Sequence, residues 1–175
     1  MALLTIYLQD HLALATAGIR LARRCRGENR EGELARFLDR LVPELEQDRA
    51  ILVEVAEALG ARRDRLKEAV AIVGELLGRL KPNGRIVTYS ELSRVWELEA
   101  LVAGTTSRLS AWDVLARLKA REPRLQGFAF EPLAERAKAQ REALERFHRA
   151  AAESAFAPRR VRLLAPATSA RGSMP

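Results

Sequence analysis

Apolar residues recur every three or four positions along most of the chain, while glycines and prolines cluster at a few joints. This spacing places apolar side chains on one face of an α-helix, and no stretch shows the strict alternation of a half-buried strand. The pattern therefore predicts an all-α fold. Residues 1–156 are predicted to form a bundle of four long helices and one short helix, and residues 157–175 a flexible basic tail.

Turn and capping residues separate the five predicted helices, which span about 3–26, 31–59, 64–80, 88–121 and 132–156. Asp64 is placed to cap the third helix, and the turn around Gly84 follows it. Thr88 and Glu91 match a capping box at the start of the fourth helix. Between the fourth and fifth helices, the aromatic residues of segment 122–131 predict an ordered loop.

The second predicted helix has the most regular apolar stripe in the chain. Its members are Leu34, Leu38, Leu41, Leu45, Asp48, Leu52, Val55 and Leu59. Pro43 lies inside this pattern, which continues on both sides of it, so we expect a kink rather than a break. The first helix has a thin polar stripe and several small residues, which predicts a central position. The fourth helix is predicted to bury Leu92, Val95, Val102, Leu109 and Trp112.

The relative lengths of the helices predict the topology. The third predicted helix is about half as long as the others, and if it returns the chain along the bundle, the second and fourth helices run parallel. In this order and length of helices, residues 3–156 resemble the ferritin-like superfamily, an up-down bundle with one long crossover. The resemblance implies a site with a Glu on one helix of each pair and a Glu-x-x-His on the other.

Acidic residues inside the apolar stripes are the candidate metal ligands. Asp10 lies in the stripe of the first helix, Asp48 in that of the second and Glu99 in that of the fourth. Glu145 and His148 form the only Glu-x-x-His of the chain, on the fifth helix. The second helix has no histidine, so the resemblance implies a lost or atypical site. Any metal held mainly by carboxylates should be a hard divalent cation.

A structural role is the alternative for the same acidic residues. A buried carboxylate costs several kcal/mol unless it is paired or binds a cation. Ion pairs and hydrogen bonds could meet this need at Asp10, Asp48 and Glu99. The candidate partners are Arg20, Arg49, Arg94, Tyr7, His11 and Trp96. We expect the structural role to be the commoner explanation.

Composition narrows the functional classes. The net charge is +7, of which four arginines in the tail supply four, so nucleic-acid binding is not the first expectation. The single cysteine, Cys25, excludes an intrachain disulfide. The amino-terminal segment lacks the pattern of a signal peptide or membrane span, so we expect a cytoplasmic protein. Two histidines exclude a hemerythrin-type site, and no phosphate-binding glycine loop occurs.

Together these features predict a ferritin-like structural or interaction module that forms homo-oligomers. The cofactor stays open: either none, or a divalent metal. The first alternative is an oxidoreductase or storage protein with a carboxylate-rich metal centre, and the second is a nucleic-acid binder that uses its basic tail. We favour a protein that is not an enzyme, because the ligand set is incomplete on the second helix.

Overall fold

The computed structural model of the protein describes residues 2–61 and 89–157. These ranges contain four α-helices, one turn of 3-10 helix and no strand, which confirms the predicted all-α class. The α-helices are α1 (Ala2–Glu28), α2 (Gly32–Ala58), α3 (Glu91–Lys119) and α4 (Phe130–Phe156), and the 3-10 turn is Pro123–Leu125. The predicted short helix over 64–80 and the predicted tail beyond residue 157 lie outside the described residues.

Local hydrogen bonds explain where the helices begin and end. Gly60 takes a φ of +83° after α2, and the backbone N–H of Ala61 donates to the carbonyl of Ala56 at 2.9 Å. At the start of α3, Ser90 and Ser93 form a reciprocal capping box. The capping box is therefore two residues later than the one predicted at Thr88. α4 begins two residues earlier than predicted, at Phe130.

The stripe of α2 is buried as predicted. All its members from Leu38 to Leu59 are buried, including Asp48, whereas Leu34 is half-buried. The helix continues through Pro43. The predicted loop before α4 is also held by aromatic rings, because Phe130 stacks on Trp112 and Phe128 at centroid distances of 6.1 and 5.8 Å.

Two apolar clusters show in which direction each helix runs. The first cluster contains Leu8 and Leu12 of α1, Leu52 and Val55 of α2, Trp112 and Leu115 of α3, and Phe130 and Leu133 of α4. The second contains Ile19 and Ala22 of α1, Leu38 and Leu41 of α2, Val95 and Leu98 of α3, and Leu144 and Ala151 of α4. α1 and α4 thus run from the first cluster to the second, and α2 and α3 run the opposite way. The predicted parallel direction of α2 and α3 is confirmed.

The packing of the helices is four-sided. α1 packs along α2 and α3, α3 packs along α4, and α4 also contacts α2. Neighbouring helices are therefore antiparallel, and the parallel pairs lie across the bundle from each other.

The predicted stripes of α1 and α3 need correction. Val95 and Trp112 of the predicted α3 stripe are buried, and the other buried positions of the helix are Glu97, Leu98, Leu101, Thr105, Ala111 and Leu115, with Arg108 mostly buried among them. Leu92, which was predicted to be buried, is about half exposed. On α1, Leu3, Ile6 and Leu14 are exposed, so the described helices do not surround α1. Both errors come from patterns that are apolar on more than one face.

None of the helices in the described ranges is long and apolar enough to cross a membrane.

Candidate functional site

The centre of the bundle contains a group of charged and polar side chains around Asp48. This carboxylate is only 2% exposed. The guanidinium of Arg136 on α4 donates a hydrogen bond to its Oδ1. Arg108 on α3 places Nε 3.2 Å from its Oδ2, an ion pair that is not aligned as a hydrogen bond. Asp48 is therefore shared by two arginines from two different helices.

A second carboxylate and an amide extend this group. Arg108 donates to the amide oxygen of Gln140, and the Gln140 amide nitrogen donates to Glu44 at 2.5 Å. We call the five residues Glu44, Asp48, Arg108, Arg136 and Gln140 the central polar layer. It contains two carboxylates and two guanidiniums, so its charges balance. Because α2, α3 and α4 each contribute, it also sets the register of three helices.

Burial dominates the electrostatics of the central polar layer. Desolvation raises the pKa of Asp48 above its usual value, and Arg108 and Arg136 oppose this rise. Desolvation also lowers the pKa of Arg108, and Asp48 opposes that change. A guanidinium has an intrinsic pKa so high that it stays charged near neutral pH. We therefore treat both arginines as cations that compensate Asp48.

A small cavity adjoins the central polar layer between α1, α2 and α3. Its volume is about 50 Å³, and Gly18, Gly104 and Trp112 are among the residues that line it. Among the residues that the structure describes, none offers a hydrogen-bond partner to the buried indole Nε1–H of Trp112. Pockets for organic ligands usually measure about 300–1,000 Å³. This cavity has room for a few water molecules but not for such a ligand.

The predicted site residues do not converge on Asp48. Asp10 is exposed on α1, which corrects its predicted place in a buried stripe. Glu99 is also exposed, and its carboxylate lies 4.0 Å from the half-buried His148 of α4. Glu145 pairs instead with Arg141 one turn before it, at 3.4 Å. Within residues 2–61 and 89–157, no three His, Cys, Asp or Glu side chains are grouped so that they could hold a metal ion.

The ion-pair alternative for Asp48 is confirmed, although with other partners. The expected partner Arg49 donates to the hydroxyl of Thr16 at 3.0 Å instead. Arg108 and Arg136 were not recognised as partners of Asp48. Arg108 lies in the same helical register as Leu101, Trp112 and Leu115, so reading α3 from those residues would have placed it inside.

A second buried polar group, also unrecognised from the sequence, joins the end of α1 to the start of α3. Glu97 is 6% exposed and accepts a hydrogen bond from the Tyr89 hydroxyl at 3.1 Å. Asn29 donates to that hydroxyl at 2.9 Å and to the carbonyl of Cys25 at 2.7 Å. Arg24 approaches Glu97 from the surface at 2.8 Å. We call Cys25, Asn29, Tyr89 and Glu97 the end cluster.

The environment of the end cluster favours neutral side chains. Burial raises the pKa of Glu97, an effect that the Tyr89 hydrogen bond and Arg24 oppose. Burial and then the nearby Glu97 raise the pKa of Cys25 to about 12. A fully buried thiol with such a pKa is a poor nucleophile. The end cluster therefore connects two helices and has no feature of a catalytic cysteine.

A scan against protein-family models finds no match for this chain, and searches of curated proteins and of solved structures find none either. The side chains described above are thus the basis for assigning a function.

Proposed function

We propose that this protein is a ferritin-like helical bundle that has an ion-pair layer in place of a metal centre and acts as a self-associating structural or interaction module. The observation that carries the proposal is the sharing of Asp48 by Arg108 and Arg136. These residues come from three of the four main helices, at the level between the two apolar clusters. A cation is needed there, and the guanidiniums provide it.

The helix arrangement supports the ferritin-like part of the proposal. Neighbouring helices are antiparallel, α2 and α3 are parallel, and they lie across the bundle from each other. α2 has 27 residues, so the connection from its end to the start of α3 spans about 40 Å. One long crossover between the second and third main helices is the ferritin-like arrangement.

The charges of the central polar layer argue against a divalent cation at Asp48. Such an ion would lie beside two guanidiniums, and like charges about 4 Å apart repel by several kcal/mol in a partly buried site. The acidic segment of α2 that contains Glu44 and Asp48 also has no histidine to complete a ligand set. The residues present therefore do not fit the metal centre that the resemblance implies.

The surface of the bundle supports the interaction part of the proposal. Among the described residues, seven large apolar side chains are exposed, and six of them belong to α1 and α3. These are Leu3, Ile6, Leu14, Leu92, Trp96 and Val114. Apolar side chains gathered on one side of a bundle are typical of a surface that another protein covers.

Elemental analysis of the aerobically purified full chain, followed by an iron(II) oxidation assay in air, tests the proposal. We expect less than stoichiometric metal and no oxidation beyond the rate of buffer alone. Asp48→Ala and Glu99→Ala should leave both results unchanged, as should the control Asp39→Ala at an exposed position on α2. Stoichiometric metal or rapid oxidation that Asp48→Ala abolishes and Asp39→Ala retains would instead establish a metal centre.

A further inference from the structure

The exposed face of α3 has an apolar pattern that is symmetric along the helix. Six residues form it, and we call them the α3 stripe: the exposed Leu92, Trp96, Ala103 and Val114, and the half-buried Ser107 and Leu118, of which Ser107 is the one polar member. Their spacings are four, seven, four, seven and four, so the pattern is the same in both directions. Trp96 is 63% exposed and Val114 38%. Large side chains thus lie at both ends of the α3 stripe, and small ones lie at its middle.

The geometry of a helix makes this symmetry useful for contact with a second α3. Val114 follows Trp96 by 18 positions, about five full turns, so the two side chains point in the same direction. When two α3 helices are placed antiparallel about position 105, Trp96 of each copy faces Val114 of the other. Ala103 then faces Ser107, and these small residues allow the two backbones to approach closely.

We propose that two copies of the chain associate through antiparallel α3 helices, each packing its α3 stripe against that of the other. This inference rests on the self-association in the proposed function and names its surface. A two-fold interface uses the same patch on both copies, so the patch must be self-complementary. The α3 stripe meets that condition, whereas a partner of unrelated sequence would not require a symmetric pattern.

The neighbouring helix enlarges the surface. Leu14 of α1, which is 47% exposed, lines the same cavity as Ala100 and Gly104 of α3, so it lies beside the α3 stripe. A helix of 29 residues is about 43 Å long and, at a width of about 10 Å, presents roughly 400 Å². Stable complexes bury about 800 Å² per partner. The exposed apolar residues of α1 add to the area that the α3 stripe can bury in such a contact.

Analytical ultracentrifugation of the full chain tests the association. We expect a dimer at micromolar concentration. Ala103→Arg should raise the dissociation constant at least about a hundredfold, because a two-fold interface buries the new charge twice. The control Ala139→Arg adds the same charge at an exposed position on α4 and should leave the dimer unchanged. The urea midpoints of both variants, measured at a concentration where the wild type is monomeric, should match that of the wild type.

Disulfide trapping tests the register of the two helices. In a mixture of Trp96→Cys and Val114→Cys chains, a disulfide should form between the two variants, while the opposite end of the same dimer keeps its Trp96–Val114 contact. Neither variant should cross-link with itself, because equal positions lie about 27 Å apart along antiparallel helices. Self-cross-linking of Trp96→Cys would contradict the antiparallel pairing.

The outcomes separate the surface from the proposed function. An oligomer that survives Ala103→Arg and gives no mixed disulfide overturns the α3 surface but keeps self-association. A monomeric wild type overturns both the α3 surface and self-association, and the metal assay still decides whether the ion pair replaces a metal. If the wild type is monomeric and Ala103→Arg lowers its free energy of unfolding, another segment of the same chain covers the α3 stripe.

Discussion

Asp48 shows how one residue can decide the chemistry of a bundle interior. Its position is evident from the sequence because it alone interrupts a regular apolar stripe. The need for a counter-charge follows from the cost of burying a carboxylate. Which arginines meet it could not be predicted, because Arg108 and Arg136 lie on helices that are distant in the sequence and reach Asp48 only after packing.

Removing the charge of Asp48 should destabilise the fold. Asp48→Asn removes one of the two carboxylates that compensate Arg108 and Arg136, so we expect the free energy of unfolding to fall by about 1 to 3 kcal/mol. Urea denaturation at pH 7 measures the change. Asp39→Asn breaks an exposed ion pair with Arg26, which water and salt screen, so its urea midpoint should change much less than that of Asp48→Asn. Equal midpoints for the two variants would show that the central polar layer does not stabilise the bundle.

Glu97 should make stability depend on pH in the direction opposite to most carboxylates. Burial raises the pKa of Glu97 in the folded state, so the folded state holds this proton more tightly than the unfolded chain does. The resulting stabilisation is present at acidic pH and is lost as the pH rises through the raised pKa. Glu97→Gln cannot titrate and keeps an acceptor for Tyr89. The free energy of unfolding of Glu97→Gln should therefore decrease less between pH 5 and pH 7.5 than that of the wild type.

Urea midpoints at the two pH values measure the contribution of Glu97. Glu99→Gln, at an exposed position two residues away on α3, is the matched control and should follow the wild type. The assignment is wrong if Glu97→Gln and Glu99→Gln show the same dependence on pH.

The α-helices differ in how clearly their sequences reveal the buried face. In α2 one set of positions is apolar at regular spacing, and all of that set except the half-buried Leu34 is buried. In α3 the outward α3 stripe is also mostly apolar, so the sequence is compatible with burial of either face. The predicted stripe combined residues from both faces. The residues that were missed, Glu97 and Arg108, are those whose burial depends on the phase of α3. A helix that is apolar on two faces therefore hides its polar interior residues from pattern analysis.

A cavity-forming substitution tests the buried stripe of α2. Leu45 is 7% exposed and belongs to the second apolar cluster. Leu45→Ala should lower the free energy of unfolding by about 2 to 5 kcal/mol because its neighbours cannot fill the space. Leu45→Met keeps most of the volume and should cost less than about 1.5 kcal/mol. Similar urea midpoints for the wild type and Leu45→Ala would contradict the packing of this stripe.

For the whole molecule, helix lengths carried more information than individual residues. The apolar periodicity led to the all-α class, and the helix lengths led to the parallel direction of α2 and α3, because a short element between long helices implies a chain that returns along the bundle. The exposure of Asp10 and Glu99 could not be predicted in this way. Whether a stripe position faces the centre depends on how each helix is rotated about its axis, and packing against its neighbours sets that rotation.

We propose that the arginines of the central polar layer take the role that a metal would have at the centre of the bundle. Thermal unfolding of the full chain, stripped with a chelator and then given Mn²⁺, Mg²⁺ or Ca²⁺, tests this claim most directly. A cation bound to the folded state at a hundred times its Kd would add about 2.7 kcal/mol to the free energy of unfolding. We expect no rise in Tm with any of the three ions, and the same curves for Asp48→Ala with and without them. A rise in the wild type that Asp48→Ala removes and Asp39→Ala retains would contradict the claim.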